Sequence, residues 1–487
     1  MQLEHLMPYQ LTGATWLQSK AQAFLGDEMG LGKSAQAIHA ADRLNLKRIL
    51  VLCPASLRTN WSREFFKFSP LDRPCTCAFS VQPVPRDFTG VFIVSYDLLV
   101  APTSEKLKKA LKEAPPAERD KASSKYQLRL KLERERTRFL AELKAVAWDL
   151  VILDEAHYLK ERGADRTKAV YGSRTRPGLI ASCARVWRLS GTPSLNNVGE
   201  LWTHLKTAGL TSLAYWDFVF HFCTGFQDDW GFRIKGVQHE AELKKLMAPF
   251  LLRRLKADVL PDLPPVFWQE VVVQRAHVSL KFFQDADRHL PAQLEVAGQK
   301  LSDALRAVRR DHSVASELQL LEQQAGHLAT LRRFIGLAKL PAVLDLIAEE
   351  LQEGKYQKIL LFAVHQQVLE EAFAHLKAFH PALVYGKTDV QKRQAEVDRF
   401  QGDSRCRVFL GNVLAAGVGL NLTAACEVGM LEQDWVPANN EQAVARAHRI
   451  GQAVTVRVRV FSLADSVDEE VNRILVRKQR ELAKVFS

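Results

Sequence analysis

The feature that most constrains this chain is a series of short, unbroken apolar runs. RILVLCP (Arg48–Pro54), GVFIVSY (Gly90–Tyr96), WDLVILDEAH (Trp148–His157) and RVWRLSGTP (Arg185–Pro193) lie in its first half. KILLFAV (Lys358–Val364), ALVYG (Ala382–Gly386), CRVFLGN (Cys406–Asn412), CEVGMLE (Cys426–Glu432) and VRVRVFSL (Val456–Leu463) lie in its second. Each of the first four ends in turn chemistry or acidic residues, and helical-looking segments lie between them. Runs without polar alternation belong to strands covered on both faces, so the pattern predicts parallel sheets in an α/β fold. The chain has 487 residues, and single cores stop growing near roughly 250–300 residues. More than one domain is expected.

Two stretches interrupt the rhythm. From 104 to 144 the chain is dense in Lys, Arg and Glu. There KYQLRLKLERERTRFLAELKAV reads as a helix with Leu128, Leu132, Phe139 and Leu143 on one stripe. It is either a solvated charged helical insertion or a grip on nucleic acid. The region 195–250 is aromatic-rich (AYWDFVFHFCTGFQDDWGF), and LLRRLKADVLPDLPP follows it. Residues 278–331 read as helical and charged. The map is therefore an α/β domain over 1–256 carrying both insertions, a helical linker over 257–337, and a second α/β domain over 338–487.

Composition narrows the class. Hydrophobic residues make up 47% and charged residues 25%, which argues against wholesale disorder. Lys and Arg number 67 against 55 Asp and Glu, a net charge of +12, which permits a polyanionic partner without naming one. Of seven cysteines only Cys75 and Cys77 lie close together, so neither a zinc site nor a disulfide framework is expected. No run approaches the roughly 18 apolar residues of a membrane span, and MQLEHLMPYQ lacks the regions of a signal peptide. The protein is expected to be soluble and not secreted.

Three motifs carry chemistry. GDEMGLGKS (Gly26–Ser34) has the parts of a phosphate-binding loop. Gly30 and Gly32 let backbone N–H groups curl around phosphate oxygens, Lys33 reaches the outer phosphates, and Ser34 is a Mg2+ ligand type. Asp27 stands where the strict pattern has its first glycine, and by itself the stretch is also compatible with a glycine-rich turn. DEAH (Asp154–His157) follows an apolar strand. An Asp at a strand end holds Mg2+ in nucleotide hydrolysis, and a neighbouring Glu orients water; by itself the pair is equally a polar turn. QAVARAHRIGQ (Gln442–Gln452) sets Arg446, His448 and Arg449 on or near one helical turn. It reads as a supply of arginine fingers or as a basic surface helix.

Together these residues resemble the Swi/Snf-type ATPases of helicase superfamily 2, and the motifs occur in family order from about Leu6 to about Ser462. LMPYQLTGATWL resembles the glutamine motif, with Gln10 placed to read adenine. GDEMGLGKS matches the phosphate loop, with Ser34 where Thr is usual. LCPASLRTNWSREF and VSYDLL resemble the next two motifs, and LSGTP (Leu189–Pro193) resembles the coupling motif. LLRRLKADVLPDLPP resembles the signature joining the lobes. GNVLAAGVGLNLTAA (Gly411–Ala425), DWVP (Asp434–Pro437) and QAVARAHRIGQ are similar to the second-lobe motifs. HFCTG and RRFIGLAKLPAV are most similar to the annealing-helicase branch. Asn412, Val413, Val436 and the length of the segment before Asp154 depart from the family pattern.

The resemblance implies two RecA-like lobes of a P-loop NTPase, with ATP and Mg2+ as cofactors. Gln10, Gly30, Leu31, Gly32, Lys33 and Ser34 would bind ATP, and Ser34 and Asp154 the metal. Lys33, Glu155, Arg446 and Arg449 would be catalytic. Ser190, Thr192, Gly417 and Gln442 would couple the lobes. Ser56, Ser95 and Trp435 are candidate DNA contacts, with Trp435 equally placed as a core residue of the second sheet. The implied activity is DNA-stimulated ATP hydrolysis driving movement along duplex DNA to remodel protein–DNA or branched DNA structures, with duplex or branched DNA bound independently of sequence. A strand-separating DNA or RNA helicase and a nucleic-acid-binding scaffold with a weak ATPase are the alternatives. The implied location is the cytoplasm or nucleoid in a prokaryote or phage and the nucleus in a eukaryote.

Overall fold

The computed structural model describes residues 6–101, 119–193, 197–228, 231–274, 325–386, 390–416 and 420–464, with residue 388 and short pieces between 466 and 476. By internal packing the chain forms two compact units. The first comprises Met1–Ser194, Gly199–Phe218 and Ala241–Leu255, and the second comprises Leu195–Val198, Val219–Glu240 and Lys256–Ser487.

The first unit is built on a seven-stranded sheet. Its strands are β1 (Gln22–Leu25), β2 (Arg48–Cys53), β3 (Cys75–Ala78), β4 (Gly90–Ser95), β5 (Leu150–Asp154), β6 (Val186–Leu189) and, later in the chain, Leu251–Leu252. Their spatial order is β3-β4-β2-β5-β6-β1 followed by Leu251–Leu252, and every pairing is parallel. Ile49, Leu50, Val51 and Leu52 are all buried, as are Val151, Ile152 and Leu153. Consecutive residues of one strand point to opposite faces, so this burial requires helices on both sides. Helices α1 (Pro8–Gln18), α2 (Lys33–Arg43) and α3 (Arg58–Phe68) belong to this cover. The parallel order sets the C-terminal ends of β5, β6 and β1 side by side. In open parallel sheets that edge is where ligands bind.

The charged insertion is helical where it is described. One helix runs Arg119–Ala145. Residues 104–118 lie outside the described residues, as does most of the segment 278–331. Phe139 and Leu143 are buried, whereas Leu128 is 62% exposed. Only the C-terminal half of the predicted stripe is therefore covered. The aromatic region contains a helix, Tyr215–Phe222, and an antiparallel hairpin of Cys223–Asp228 with Gly231–Val237.

The second unit holds a six-stranded sheet. Its strands are Val266–Val273, Ile359–Ala363, Ala382–Val384, Val408–Asn412, Glu427–Met430 and Val456–Leu463. All of its pairings are parallel. Ile359, Leu361, Val408 and Leu410 enter one core cluster while Leu360, Phe362, Phe409 and Val428 enter another. The sheet is thus buried on both faces, and the expected parallel α/β class holds for both units.

Candidate functional site

The site in the first unit is assembled at the edge formed by β1, β6 and β5. Strand β1 ends at Leu25, and the loop Gly26–Gly32 leads into α2, whose first residue is Lys33. Gly30 and Gly32 have φ of 91° and 70°, a region that side chains strongly disfavour. Gly32 is required for a second reason, since a Cβ there would collide with the Gln10 amide. The loop thus brings backbone amides and the N-terminus of α2 to one place, the arrangement that holds phosphate.

Asp27, the departure from the strict loop pattern, has a clear task. It is fully buried. Arg254 Nε donates to its Oδ1 at 2.9 Å, Arg254 NH2 to its Oδ2 at 2.5 Å, and Gln36 Nε2 to its Oδ2 at 3.0 Å. A glycine could not bind the loop to α2 and to the segment after Leu252 in this way. Gln10 is tied locally at both ends: its Oε1 accepts from Met7 N at 2.9 Å and its Nε2 donates to Leu31 O at 3.2 Å.

Lys33 is half-buried, and its ammonium is held by backbone carbonyls. Nζ donates to the carbonyls of Asp27 at 2.8 Å and Glu28 at 3.3 Å. Burial lowers its pKa, against the pull of Glu155, Asp27 and Asp154. Ser34, the next residue of α2, is half-buried.

Asp154 ends β5. Its carboxylate accepts from Trp61 Nε1 at 2.7 Å and from the Glu155 amide at 3.0 Å. Burial, then the neighbouring Glu155, pushes its pKa up to about 7, with Trp61 and Lys33 acting in the other direction. Glu155 has φ 48°, a left-handed conformation that a non-glycine residue adopts only where its surroundings enforce it. His157 Nδ1 lies 3.3 Å from Glu155 Oε2 and 3.0 Å from Ser190 Oγ. Ser190 Oγ in turn donates to Thr192 O at 3.0 Å. A Cβ on Gly191 would sit 3.4 Å from Lys33 Nζ, so the Ser190–Thr192 turn lies directly beside the phosphate-loop lysine. The structure thus brings together Gln10, Gly30, Leu31, Gly32, Lys33, Ser34, Asp154, Glu155, Ser190 and Thr192. Ser56 is half-buried in the turn after β2, and Ser95 is buried at the end of β4.

The second unit carries the arginine segment. Its helix, Pro437–Val444, ends just before Arg446, so Arg446, His448 and Arg449 lie in the turn that follows the helix, near its last turn. His448 is anchored on both ring nitrogens. Its Nε2 lies 2.8 Å from Pro264 O, while Lys256 Nζ lies 3.3 Å from its Nδ1 and donates to its carbonyl at 2.7 Å. These contacts fit one neutral tautomer, with Nε2–H donating to Pro264 O and Nδ1 accepting from Lys256. Arg449 NH1 donates to Leu420 O at 3.3 Å, and Gln452 Nε2 reaches the carbonyls of Thr423, Ala425 and Ala447. Gln442 is buried. Gly417 lies outside the described residues.

Trp435 is partly buried against the core of the second unit, with the Arg332 guanidinium 4.4 Å from its ring centroid. Asp27, Trp61, Arg254 and Arg253, whose NH1 donates to Gly26 O at 3.0 Å and Gly191 O at 3.2 Å, were not singled out from sequence as members of the first unit's site, nor was Lys256 as an anchor of the second unit's arginine segment. Each is brought in by tertiary contact, and only the cluster LLRRLK hinted at three of them.

A helix N-terminus, an enclosed ammonium and two adjacent carboxylates, one buried and one half-buried, at a parallel-sheet edge form the side-chain set of a phosphate-binding α/β protein. Comparison with known proteins agrees with that class. Residues 9–328 match the SNF2-related domain, and residues 338–451 match the helicase conserved C-terminal domain. The chain belongs to the SNF2-related family.

It is 29% identical over 494 residues to a Caenorhabditis elegans SWI/SNF-related matrix-associated actin-dependent regulator of chromatin subfamily A-like protein 1 homolog, covering 99% of this chain and 62% of that one. It is 28% identical over 488 residues to the Bos taurus DNA annealing helicase and endonuclease ZRANB3, covering 97% and 40%. The chain thus spans less than two thirds of these curated relatives. Among solved structures it is similar to the Sulfolobus solfataricus SWI2/SNF2 ATPase core in complex with dsDNA, with 22% identity, a TM-score of 0.41, and 99% and 93% of the two chains covered. Among the described residues no helix is long and apolar enough to cross a membrane.

Proposed function

We propose that this chain is an ATP-dependent DNA translocase of the SWI/SNF type, which hydrolyses ATP on stimulation by DNA. The observation that carries the reading is the adjacent carboxylates of buried Asp154 and half-buried Glu155, set in the field of Lys33 at the end of a parallel sheet. A carboxyl raised to about 7 by burial beside a second carboxylate belongs to a cluster short of positive charge. Those residues fit a nucleoside triphosphate with a divalent cation. Ser34 and Asp154 would hold Mg2+, which when bound draws off charge from the phosphate oxygens.

The amides of Gly30, Leu31 and Gly32 and the ammonium of Lys33 bind and orient the phosphates. To do so Lys33 exchanges the Asp27 and Glu28 carbonyls for phosphate oxygens. Gln10 reads the adenine edge. Glu155 orients a water and takes its proton as the water oxygen bonds to the γ-phosphorus. The bond from that phosphorus to the bridging oxygen breaks, leaving ADP and phosphate. The His157–Ser190 contact joins the water-orienting segment to the Ser190–Thr192 turn, a path by which the state of the γ-phosphate is felt elsewhere.

Arg446 and Arg449 belong to the second unit, and we assign them to the charge that develops on the γ-phosphate. Gly417 and Gln442 are assigned to coupling in the same unit. With cations on one unit and phosphate loop on the other, hydrolysis requires the two to close together, and chemistry is tied to motion. The net charge of +12 and the likeness to a DNA annealing helicase support DNA as the track. Ser95 is buried, so a phosphate contact at this edge falls to Ser56. Trp435, partly buried under Arg332, is the weakest of the candidate DNA contacts.

The test is ATP turnover measured with duplex DNA, single-stranded DNA and RNA. Stimulation by duplex DNA is expected. Stimulation by RNA alone would replace this reading with that of an RNA helicase.

A further inference from the structure

We propose that His221 and His239 form a zinc site that clips the base of the hairpin of Cys223–Asp228 with Gly231–Val237. Neither residue takes part in the motor chemistry described above.

The hairpin brings together two histidines that are far apart in sequence. Cys223 pairs with Val237 in antiparallel register, so the chain entering the first strand and the chain leaving the second run side by side. His221 lies in the last turn of the helix Tyr215–Phe222, and His239 follows the second strand after Gln238. Hydrogen bonds hold the base closed beyond the last strand pair. Gln238 N donates to Phe222 O at 2.9 Å, and Gln238 Nε2 donates to Phe220 O at 2.7 Å. His239 has φ 50°, in the left-handed region that His enters more readily than most side chains. The two imidazoles stack, with centroids 4.6 Å apart and planes inclined by 27°. The pair is therefore set by the backbone before any ion arrives.

The chemistry of the pair points to a metal. His239 Nδ1 lies 2.6 Å from His221 O. A carbonyl only accepts, so Nδ1 carries the proton, and in the neutral ring Nε2 holds the lone pair. A ring N–H given to a backbone carbonyl is the usual support of a metal-ligating histidine. It fixes the tautomer and the ring, and it raises the basicity of the other nitrogen. The ligand atoms of His221 and His239 lie within 4.8 Å of each other. With metal–nitrogen bonds of about 2.0–2.1 Å, two nitrogens on one tetrahedral ion sit about 3.3 Å apart. Small side-chain rotations close that gap. His221 is half-buried and His239 exposed, so an ion can enter from solvent and water can complete its coordination.

The donor type selects the ion. Mg2+ and Ca2+ take oxygen ligands, whereas imidazole nitrogen suits the transition ions. Among these Zn2+ has no geometric preference of its own, which fits a pair whose nitrogens still have to draw together. The site uses none of the cysteines, whose spacing argues against a zinc centre, and it shares no residue with the phosphate loop.

The experiment uses the full chain, stripped of metal with a chelator and titrated with Zn2+ against a fluorescent zinc indicator in excess Mg2+. Wild type is compared with His221→Gln and with His239→Gln. Wild type should hold one equivalent of Zn2+ that both variants lose. Removing a ligand should weaken that site at least as much as the roughly 10–100-fold that loss of a supporting hydrogen bond costs. The metal-free melting temperatures of the variants should match wild type. In parallel, amide exchange across Cys223–Val237 is followed by mass spectrometry. Zn2+ should slow it several-fold in wild type and leave it unchanged in both variants. The wild-type exchange measurement needs no substitution, so it decides the matter even where a variant folds poorly. Equal Zn2+ stoichiometry in all three proteins, loss of the equivalent in one variant only, or hairpin exchange in wild type that ignores Zn2+ would each overturn the inference.

Discussion

Glu155 is held at φ 48° between Asp154 and His157, so its carboxylate is placed by the backbone as much as by its own rotamer. Glu155→Gln keeps the shape and removes the proton acceptor. Its ATP turnover should fall by two orders of magnitude or more, as is usual when a general base is lost, while a fluorescent ATP analogue still binds. Turnover at the wild-type rate would remove Glu155 from the water-activating role. Gly32→Ala is the sterically informative change. With φ at 70° and the Gln10 amide in the space a Cβ needs, alanine should destabilise the loop by about 1–2 kcal/mol. Nucleotide affinity should weaken along with the melting temperature. An alanine variant with unaltered affinity and melting would show that the loop does not need this conformation.

Elements are fixed to one another by single side chains that bridge long sequence separations. Glu432 follows Glu427–Met430 and accepts from the amides of Val364 at 3.0 Å and His365 at 2.8 Å and from His365 Nδ1 at 2.7 Å. Burial acts to raise its pKa, but the hydrogen bond and charge of His365 outweigh it and hold the carboxyl below its ordinary value. A carboxyl depressed in the fold contributes stability above the unfolded pKa and loses it as pH falls through the folded value. Glu432→Gln should therefore melt below wild type at pH 7, and the gap should close as pH falls below about 4. A gap that does not change with pH would mean that the carboxylate charge contributes nothing.

The Lys256–His448–Pro264 contacts hold the turn bearing Arg446 and Arg449 in the same fashion. Lys256→Met should lower the maximal rate of ATP turnover without raising the KM for ATP, and the loss should not add to that of Arg449→Ala. Additive losses would separate Lys256 from the arginines.

What could be read in advance follows from the same physics. Strands buried on both faces, such as Arg48–Cys53 and Val408–Asn412, appear in sequence as unbroken apolar runs. Val266–Val273 escaped notice because most of its residues are exposed at the sheet edge, and β1 because four residues opening on Gln22 are too short to register. The phosphate loop and Asp154–Glu155 are written in contiguous residues. The Trp61–Asp154 and Arg254–Asp27 bonds join positions 93 and 227 apart, a distance no local pattern reports.

At the scale of the whole molecule the account makes one demand: the cations that complete hydrolysis are carried by a different unit from the phosphate loop. On the proposed reading, turnover is slow alone and faster when DNA is bound. The direct test is steady-state ATP hydrolysis by wild type and Arg449→Ala, each with and without saturating duplex DNA. The account predicts marked stimulation of the wild type and a loss of about 10³-fold in the stimulated rate of the variant, the magnitude typical of an arginine finger. Equal rates with and without DNA, or a loss below tenfold in Arg449→Ala, would contradict it.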